Sequence, residues 1–325
     1  MNSALLQVRN LRVEFGRQPA VRDVNFDIFS GETVGLVGES GAGKSTLARA
    51  LLRLLQPAHG SVELLGQDLL KSPPAVMRAQ RRNLQMVFQD PLASLNPRMT
   101  VGAAIAEPLR IFERDLSASA RREKVATILR RVGLDADMAG RYPHEFSGGQ
   151  CQRIGIARAT VLRPKLLVCD EAVSSLDVSI QGQIINLLLD LQQDMGMAML
   201  FISHNLAVVR HLSHRVMVMY LGKLVEIAAC EALFAAPVHP YTRALLSAVP
   251  RIPPVAGYPK PAPPAEESLA EESPAGAALA HGCAFRDRCP FALPLCASTD
   301  PPLSEIAAGR WVACHRSHEL FNPLS

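Results

Sequence analysis

The run Gly38-Glu39-Ser40-Gly41-Ala42-Gly43-Lys44-Ser45-Thr46 fits the pattern G-x-x-x-x-G-K-[ST], whose residue types suit one task. The glycines at 38, 41 and 43 let the backbone curl until successive N–H groups point inward at phosphate oxygens. Lys44 can reach the β- and γ-phosphates, and the Ser45 hydroxyl can ligate Mg²⁺. The chemistry implied is binding of a nucleoside triphosphate. The bland alternative is a glycine-rich turn with a chance lysine.

Further groups in the chain suit the same chemistry. Gln89 ends the apolar run Leu84-Gln85-Met86-Val87-Phe88 and can ligate Mg²⁺ or orient water. Asp170 and Glu171 end a second run, Leu166-Leu167-Val168-Cys169. Such an aspartate holds Mg²⁺ through water, and the glutamate after it can act as a base. His204 follows Met199-Leu200-Phe201-Ile202-Ser203; a lone histidine is usually structural, but this one stands at a strand tip. Ser147-Gly148-Gly149-Gln150 opens a helix, as either a second anion-binding nest or an ordinary N-cap. Phe15 either stacks on a base or fills a core. Ser175-Leu176-Asp177 forms a turn before an apolar-periodic helix.

The elements that must position these groups are legible. Glu32-Thr33-Val34-Gly35-Leu36-Val37 predicts a buried strand before the loop, and 47–55 predicts a helix after it, adding its positive dipole end. Alternation at Leu6, Val8, Leu11, Val13, Phe15, Val24, Phe26 and Ile28 predicts paired strands with a turn near Gly16-Arg17-Gln18-Pro19. A hairpin is expected at 60–66, a basic helix at 77–82, helices at 101–112 and 118–132, and closing strands over 216–230 with a turn at Leu221-Gly222-Lys223. Pro237 to Thr242 opens another helix. Residues 250–280 are rich in Pro, Ala and Glu and read as a mobile linker.

The chain has 325 residues, 48% hydrophobic and 20% charged, enough for about two domains. Its net charge of +4 shows no clustered basic face, so nucleic acid is not an expected partner. No apolar run approaches the roughly 18 residues that span a bilayer. The start, from Met1 to Arg9, does not read as a signal peptide, which predicts a cytoplasmic protein. Of seven cysteines, Cys151, Cys169 and Cys230 are scattered, while Cys283, Cys289, Cys296 and Cys314 follow C-x5-C-x6-C-x17-C. That is neither zinc-finger nor common ferredoxin spacing. In a reducing compartment such a cluster reads as zinc or iron–sulfur ligands, or as inert thiols.

Together these motifs, in order and spacing, resemble the nucleotide-binding subunits of ABC transporters, with Ser147-Gly148-Gly149-Gln150 as the signature. Phe88-Gln89-Asp90-Pro91-Leu92-Ala93-Ser94-Leu95-Asn96-Pro97-Arg98, Glu107-Pro108-Leu109, His239-Pro240-Tyr241-Thr242 and the cysteine-bearing tail resemble the F-type ATPase of oligopeptide/dipeptide importers. Relatives of that group move dipeptides, oligopeptides, nickel complexes or opines. A soluble non-transport ABC ATPase is the other reading, against which stand the single cassette and the lack of a heptad run.

The resemblance implies an α/β fold: a phosphate-loop NTPase (RecA-like) core with an antiparallel β subdomain, an inserted helical subdomain and a small Cys-rich C-terminal extension. Residues 1–235 would be the nucleotide-binding domain, with the helical part at about 90–160. Residues 236–280 would be helix and linker, and 281–325 the Cys-rich region. ATP and Mg²⁺ are implied, with Ser45, Gln89 and Asp170 toward the metal, Glu171 polarising water and His204 contacting the γ-phosphate. Gly38, Ser40, Gly41, Gly43, Lys44, Ser45, Thr46 and Phe15 would bind one nucleotide. Ser147, Gly148, Gly149, Gln150 and Asp177 would complete the shared sites with a second, non-identical ATPase subunit. Two transmembrane permease subunits and, indirectly, an extracytoplasmic binding protein are further implied partners, at the cytoplasmic face of the membrane. Similar tails hold a [4Fe–4S] cluster, with Zn²⁺ the alternative. Ala172, Cys151, Asn205 and His214 depart from the family pattern.

Overall fold

A computed structural model describes residues 3–16, 18–174, 176–248 and 282–321. The expected linker at 250–280, the turn residue Arg17 and the motif residue Ser175 lie outside the described residues.

The alternating N-terminal pattern forms β1 (Leu6–Phe15) and β2 (Gln18–Ile28), antiparallel, with Leu6 facing Ile28 and Phe15 facing Gln18. Gln18 and Pro19, expected in the turn, lie within β2. The buried run before the loop is β3 (Thr33–Val37), and the helix after it is α1 (Lys44–Leu51). Next come β4 (His59–Leu64), β5 (Gln67–Asp68), α2 (Pro74–Gln80) and β6 (Leu84–Val87). Then α3 (Val101–Phe112), α4 (Ala118–Arg131) and α5 (Gly148–Thr160) build a helical layer, N-capped by Thr100, Ser117 and Ser147. Each cap hydroxyl accepts a backbone N–H that the helix itself leaves unpaired.

The second half alternates β7 (Leu166–Asp170), α6 (Val178–Met195), β8 (Ala198–Ile202), α7 (Leu206–Leu212), β9 (Arg215–Tyr220) and β10 (Lys223–Ala229). Two helices follow, α8 (Cys230–Ala235) and α9 (Pro240–Ser247). Beyond the linker lie α10 (Leu295–Ser298), β11 (Ser304–Ala307), β12 (Arg310–Val312) and α11 (Ser317–Phe321).

Among the described residues the strands form two sheets, in the orders β2-β1-β4-β5 and β11-β12-β10-β9-β3-β8-β7-β6. The first is antiparallel throughout. In the second, β6, β7, β8, β3 and β9 run parallel, and β3, β7 and β8 are buried along their whole length, which explains their near-continuous apolar runs. Antiparallel β10 and then β12 continue that sheet, so the Cys-rich segment is a sheet edge of the core, with Ile227 paired to Trp311. One core cluster packs α3–α7 on one side of this sheet, and another joins its opposite side to α1 and the antiparallel sheet.

Candidate functional site

Ligands of parallel α/β sheets bind at the carboxyl ends of the strands. Here β3 ends at Val37 before the glycine loop, β6 ends just before Gln89, β7 ends at Asp170, and β8 ends just before His204. Because these strands are neighbours in register, four separate stretches deliver their chemistry to one edge.

The loop closes on itself around Lys44, whose ammonium donates to the carbonyls of Gly38 at 2.8 Å and Glu39 at 2.9 Å. Burial lowers the Lys44 pKa, while Glu171, Asp170 and Glu39 oppose that. Gly43 is the N-cap of α1 with φ 100°, and a Cβ there would stand 2.3 Å from the Ala20 carbonyl oxygen. Only glycine meets both conditions.

Ser45 Oγ donates to Asp170 Oδ1 at 2.8 Å. Burial raises the Asp170 pKa, and Ser45, Arg49 and Lys44 pull it back. Two hard oxygens side by side, a hydroxyl and a buried carboxylate, fit a divalent cation such as Mg²⁺. Glu171 accepts from Gln89 Nε2 at 3.0 Å on one oxygen and lies 3.4 Å from His204 Nδ1 on the other. Its backbone sits at φ 46°, a region that costs a non-glycine residue about 1–3 kcal/mol. The Glu171 N–H donates to the Ile202 carbonyl at 3.0 Å, which helps hold that turn.

Lys44, Ser45, Gln89, Asp170, Glu171 and His204 are thus one network of hydrogen bonds and charge. Ser40 and Gly41 lie exposed beside it, and Thr46 is half-buried on α1. Phe15 is 55% exposed, so its core reading is corrected: the β1–β2 hairpin ends there and leaves the ring over open surface. The hairpin passes against the loop, as the Gly43–Ala20 approach shows.

Ser147, Gly148, Gly149, Gln150 and Asp177 stand apart. Among the described residues no hydrogen bond joins them to that network. Ser147 and Gln150 form a capping box at the start of α5, and both Ser147 and Gly148 are exposed. A Cβ on Gly149 would stand 2.8 Å from Ile180 Cγ2, so α5 meets the start of α6 where only hydrogen fits. Asp177 is exposed at the N-cap of α6.

The four departures from the family pattern each have a place. Ala172 and Cys151 are buried in the core. Asn205 caps α7 by accepting from Ala207 N at 3.1 Å. His214 Nδ1 accepts from Thr33 N at 2.9 Å.

Sequence reasoning missed two residues that hold the loop from outside. The Tyr241 hydroxyl accepts the Glu39 N–H at 2.8 Å, and Arg288 donates to both Glu39 carboxylate oxygens at 3.0 Å. They stand 202 and 249 residues from Glu39, beyond the reach of any local spacing.

Among the described residues no group of three or more His, Cys, Asp or Glu side chains is arranged to hold a metal ion, so Cys283, Cys289, Cys296 and Cys314 do not form a coordination sphere in this structure. They are electrostatic neighbours all the same. Burial pushes the Cys314 thiol up to about 11, with Cys289, Cys283 and Cys296 adding to the rise. Leu293 N–H donates to Cys296 Sγ at 3.4 Å.

A family model described as ABC transporter matches residues 21–174, and one described as oligopeptide/dipeptide transporter, C-terminal region, matches residues 225–296. The chain is 50% identical to a probable peptide ABC transporter ATP-binding protein, y4tS, of Sinorhizobium fredii, over 97% of this chain and 90% of that one. It is 50% identical to the oligopeptide transport ATP-binding protein OppF of Escherichia coli, over 92% of each. Among solved structures it resembles the dimeric post-hydrolysis state of the ATP-binding cassette MJ0796 bound to ADP and Pi, at 26% identity and TM-score 0.63, covering 69% of this chain and 98% of that one. It also resembles CbiO1 of Clostridium perfringens, part of an ABC transporter complex, at 26% identity and TM-score 0.65, covering 71% of this chain and 91% of that one.

Proposed function

The chain belongs to the ATP-binding subunits of peptide ABC transporters, and on that premise we propose that it hydrolyses ATP to energise peptide import. The observation that supports this reading is the Gln89–Glu171–His204 constellation beside the Lys44 loop, because a carboxylate held by two side chains suits the role of a base for water. Lys44 and the loop N–H groups would bind the triphosphate, and Ser45 and Asp170, with Gln89, would hold Mg²⁺. That ion, when bound, neutralises charge developing on the phosphate oxygens. Glu171 orients and polarises the attacking water, while Gln89 and His204 fix its two oxygens.

Ser147 and Gly148 are exposed, Gly149 is half-exposed, and the reading is that they serve the ATP held by a second, non-identical ATPase subunit. The exposed apolar side chains of Phe88 and Ile111, which line a cavity of about 410 Å³ between α2, β6 and α3, and the exposed Leu92 suit docking on permease subunits. Among the described residues no helix is long and apolar enough to cross a membrane. The cysteines of the tail are read as ligands of one [4Fe–4S] cluster, with Zn²⁺ the alternative. The reading rests on the four cysteines of the sequence alone, and iron and zinc analysis of anaerobically purified protein tests it.

The test of the main reading is the transporter reconstituted with its permease and partner ATPase subunits. Peptide-dependent ATP hydrolysis and uptake are expected, both lost in Lys44→Ala. Hydrolysis indifferent to peptide and to the permease subunits would overturn it and favour the soluble ATPase.

A further inference from the structure

Three rings, Tyr220 at the end of β9, Tyr241 on α9 and Phe285 of the Cys-rich segment, pack with centroids 4.5, 5.3 and 5.5 Å apart. The Arg288 guanidinium lies 5.5 Å from the Phe285 ring centroid and 5.9 Å from that of Tyr220. Cation–π contact on two faces restricts a side chain that would otherwise sample many rotamers. From this platform two groups reach the same loop residue. Tyr241 takes the Glu39 N–H, and Arg288 forks onto the Glu39 carboxylate.

Glu39 is an awkward residue for its position. It follows Gly38 in a loop built for a polyanion, and its charge is felt at the Lys44 ammonium. A free carboxylate there would repel the phosphates that Lys44 attracts. The Arg288–Glu39 pair is half exposed, at 53% and 44%, so it adds little to stability. What it does change is the charge and the direction of the Glu39 side chain.

We propose that Arg288, delivered by the Cys-rich segment, is a positioning residue for ATP binding: it neutralises Glu39 and, with Tyr241, holds the first half of the phosphate loop in its triphosphate-ready shape. The inference rests on the reading of this loop as the ATP site. It makes the C-terminal segment a part of the nucleotide site, since the loop supplies no cation of its own for Glu39 beyond Lys44, whose ammonium donates to backbone carbonyls.

The experiment compares Arg288→Ala, Arg288→Lys, Glu39→Gln and the double variant Glu39→Gln/Arg288→Ala in the full chain within the assembled transporter. ATP affinity is read with a fluorescent ATP analogue, alongside KM and kcat. Arg288→Ala should weaken ATP binding and raise KM by about five-fold, as expected for a partly exposed charge pair, with kcat changed less than about two-fold. The loss should shrink in high salt. Arg288→Lys should fall between the two. The double variant should recover most of the affinity, because no carboxylate remains to be neutralised.

A segment acting only as a structural prop predicts otherwise: the Arg288→Ala loss would persist in the double variant and ignore salt. That result, or an unchanged affinity in Arg288→Ala, overturns the proposal. Absence of ATP binding by the unaltered protein would instead overturn the reading of the site.

Discussion

Gln89 Nε2 donates to Glu171 Oε2 across 3.0 Å, although the two residues are 82 positions apart. Neighbouring parallel strands make this possible. β6 and β7 pair in register from Leu84–Leu166 to Val87–Cys169, so the residues just past their ends emerge side by side. The sheet's own register therefore holds Glu171 beside Gln89.

Glu171→Gln removes the base and keeps the size and one carbonyl oxygen. Hydrolysis should fall by about 10²–10⁴-fold, with ATP binding retained. Single-turnover hydrolysis in the assembled transporter measures the first and nucleotide titration the second. A near-wild-type rate would reassign the base.

Gly43→Ala combines a left-handed φ of 100° with a Cβ placed 2.3 Å from the Ala20 carbonyl oxygen. The loop or the β1–β2 hairpin must shift. We expect nucleotide binding to be lost and stability to drop by about 1–3 kcal/mol. Calorimetry with and without ATP reads both effects, and ATP protection equal to wild type would contradict the geometry.

Glu226 is fully buried and accepts from Val238 N at 3.0 Å, His239 N at 2.9 Å and Arg310 at 3.0 Å. This pair ties the tail to β10 independently of the cysteines. Glu226→Ala strands the Arg310 charge and two N–H groups, at a cost of about 3–5 kcal/mol. Urea midpoints should show it. Glu226→Leu/Arg310→Met should cost clearly less than the sum of its single changes.

His239 is buried, and its Nδ1 accepts the Tyr241 N–H at 3.1 Å, capping α9. Burial lowers its pKa from 6.5 to about 4, opposed by a hydrogen bond to the Ala313 backbone. The unfolded chain therefore binds the proton first as pH falls. Stability from this group is complete above about pH 6.5 and is lost as pH drops toward 4, by up to about 3 kcal/mol. Denaturation midpoints between those values should slope less in His239→Asn, which keeps an acceptor and does not titrate. Equal slopes would assign the pH dependence elsewhere.

Residue types at short spacing specified by themselves the phosphate loop, the strand ends at Gln89, Asp170 and His204, the helices at 101–112 and 118–132, and the Ser147 cap. These features are local, because a glycine turn, a buried strand and a capped helix each depend on a few adjacent residues. They also agree with one another in order, which is why the family was readable. Tertiary structure alone decided that Phe15 is exposed, that β12 extends the core sheet and that Glu39 is gripped by Tyr241 and Arg288. It also placed Cys283, Cys289, Cys296 and Cys314 within electrostatic reach without closing them into a coordination sphere. Such contacts join segments up to 249 residues apart. They arise from how layers pack and from which charges the packing leaves facing each other, and no periodicity along the chain records that.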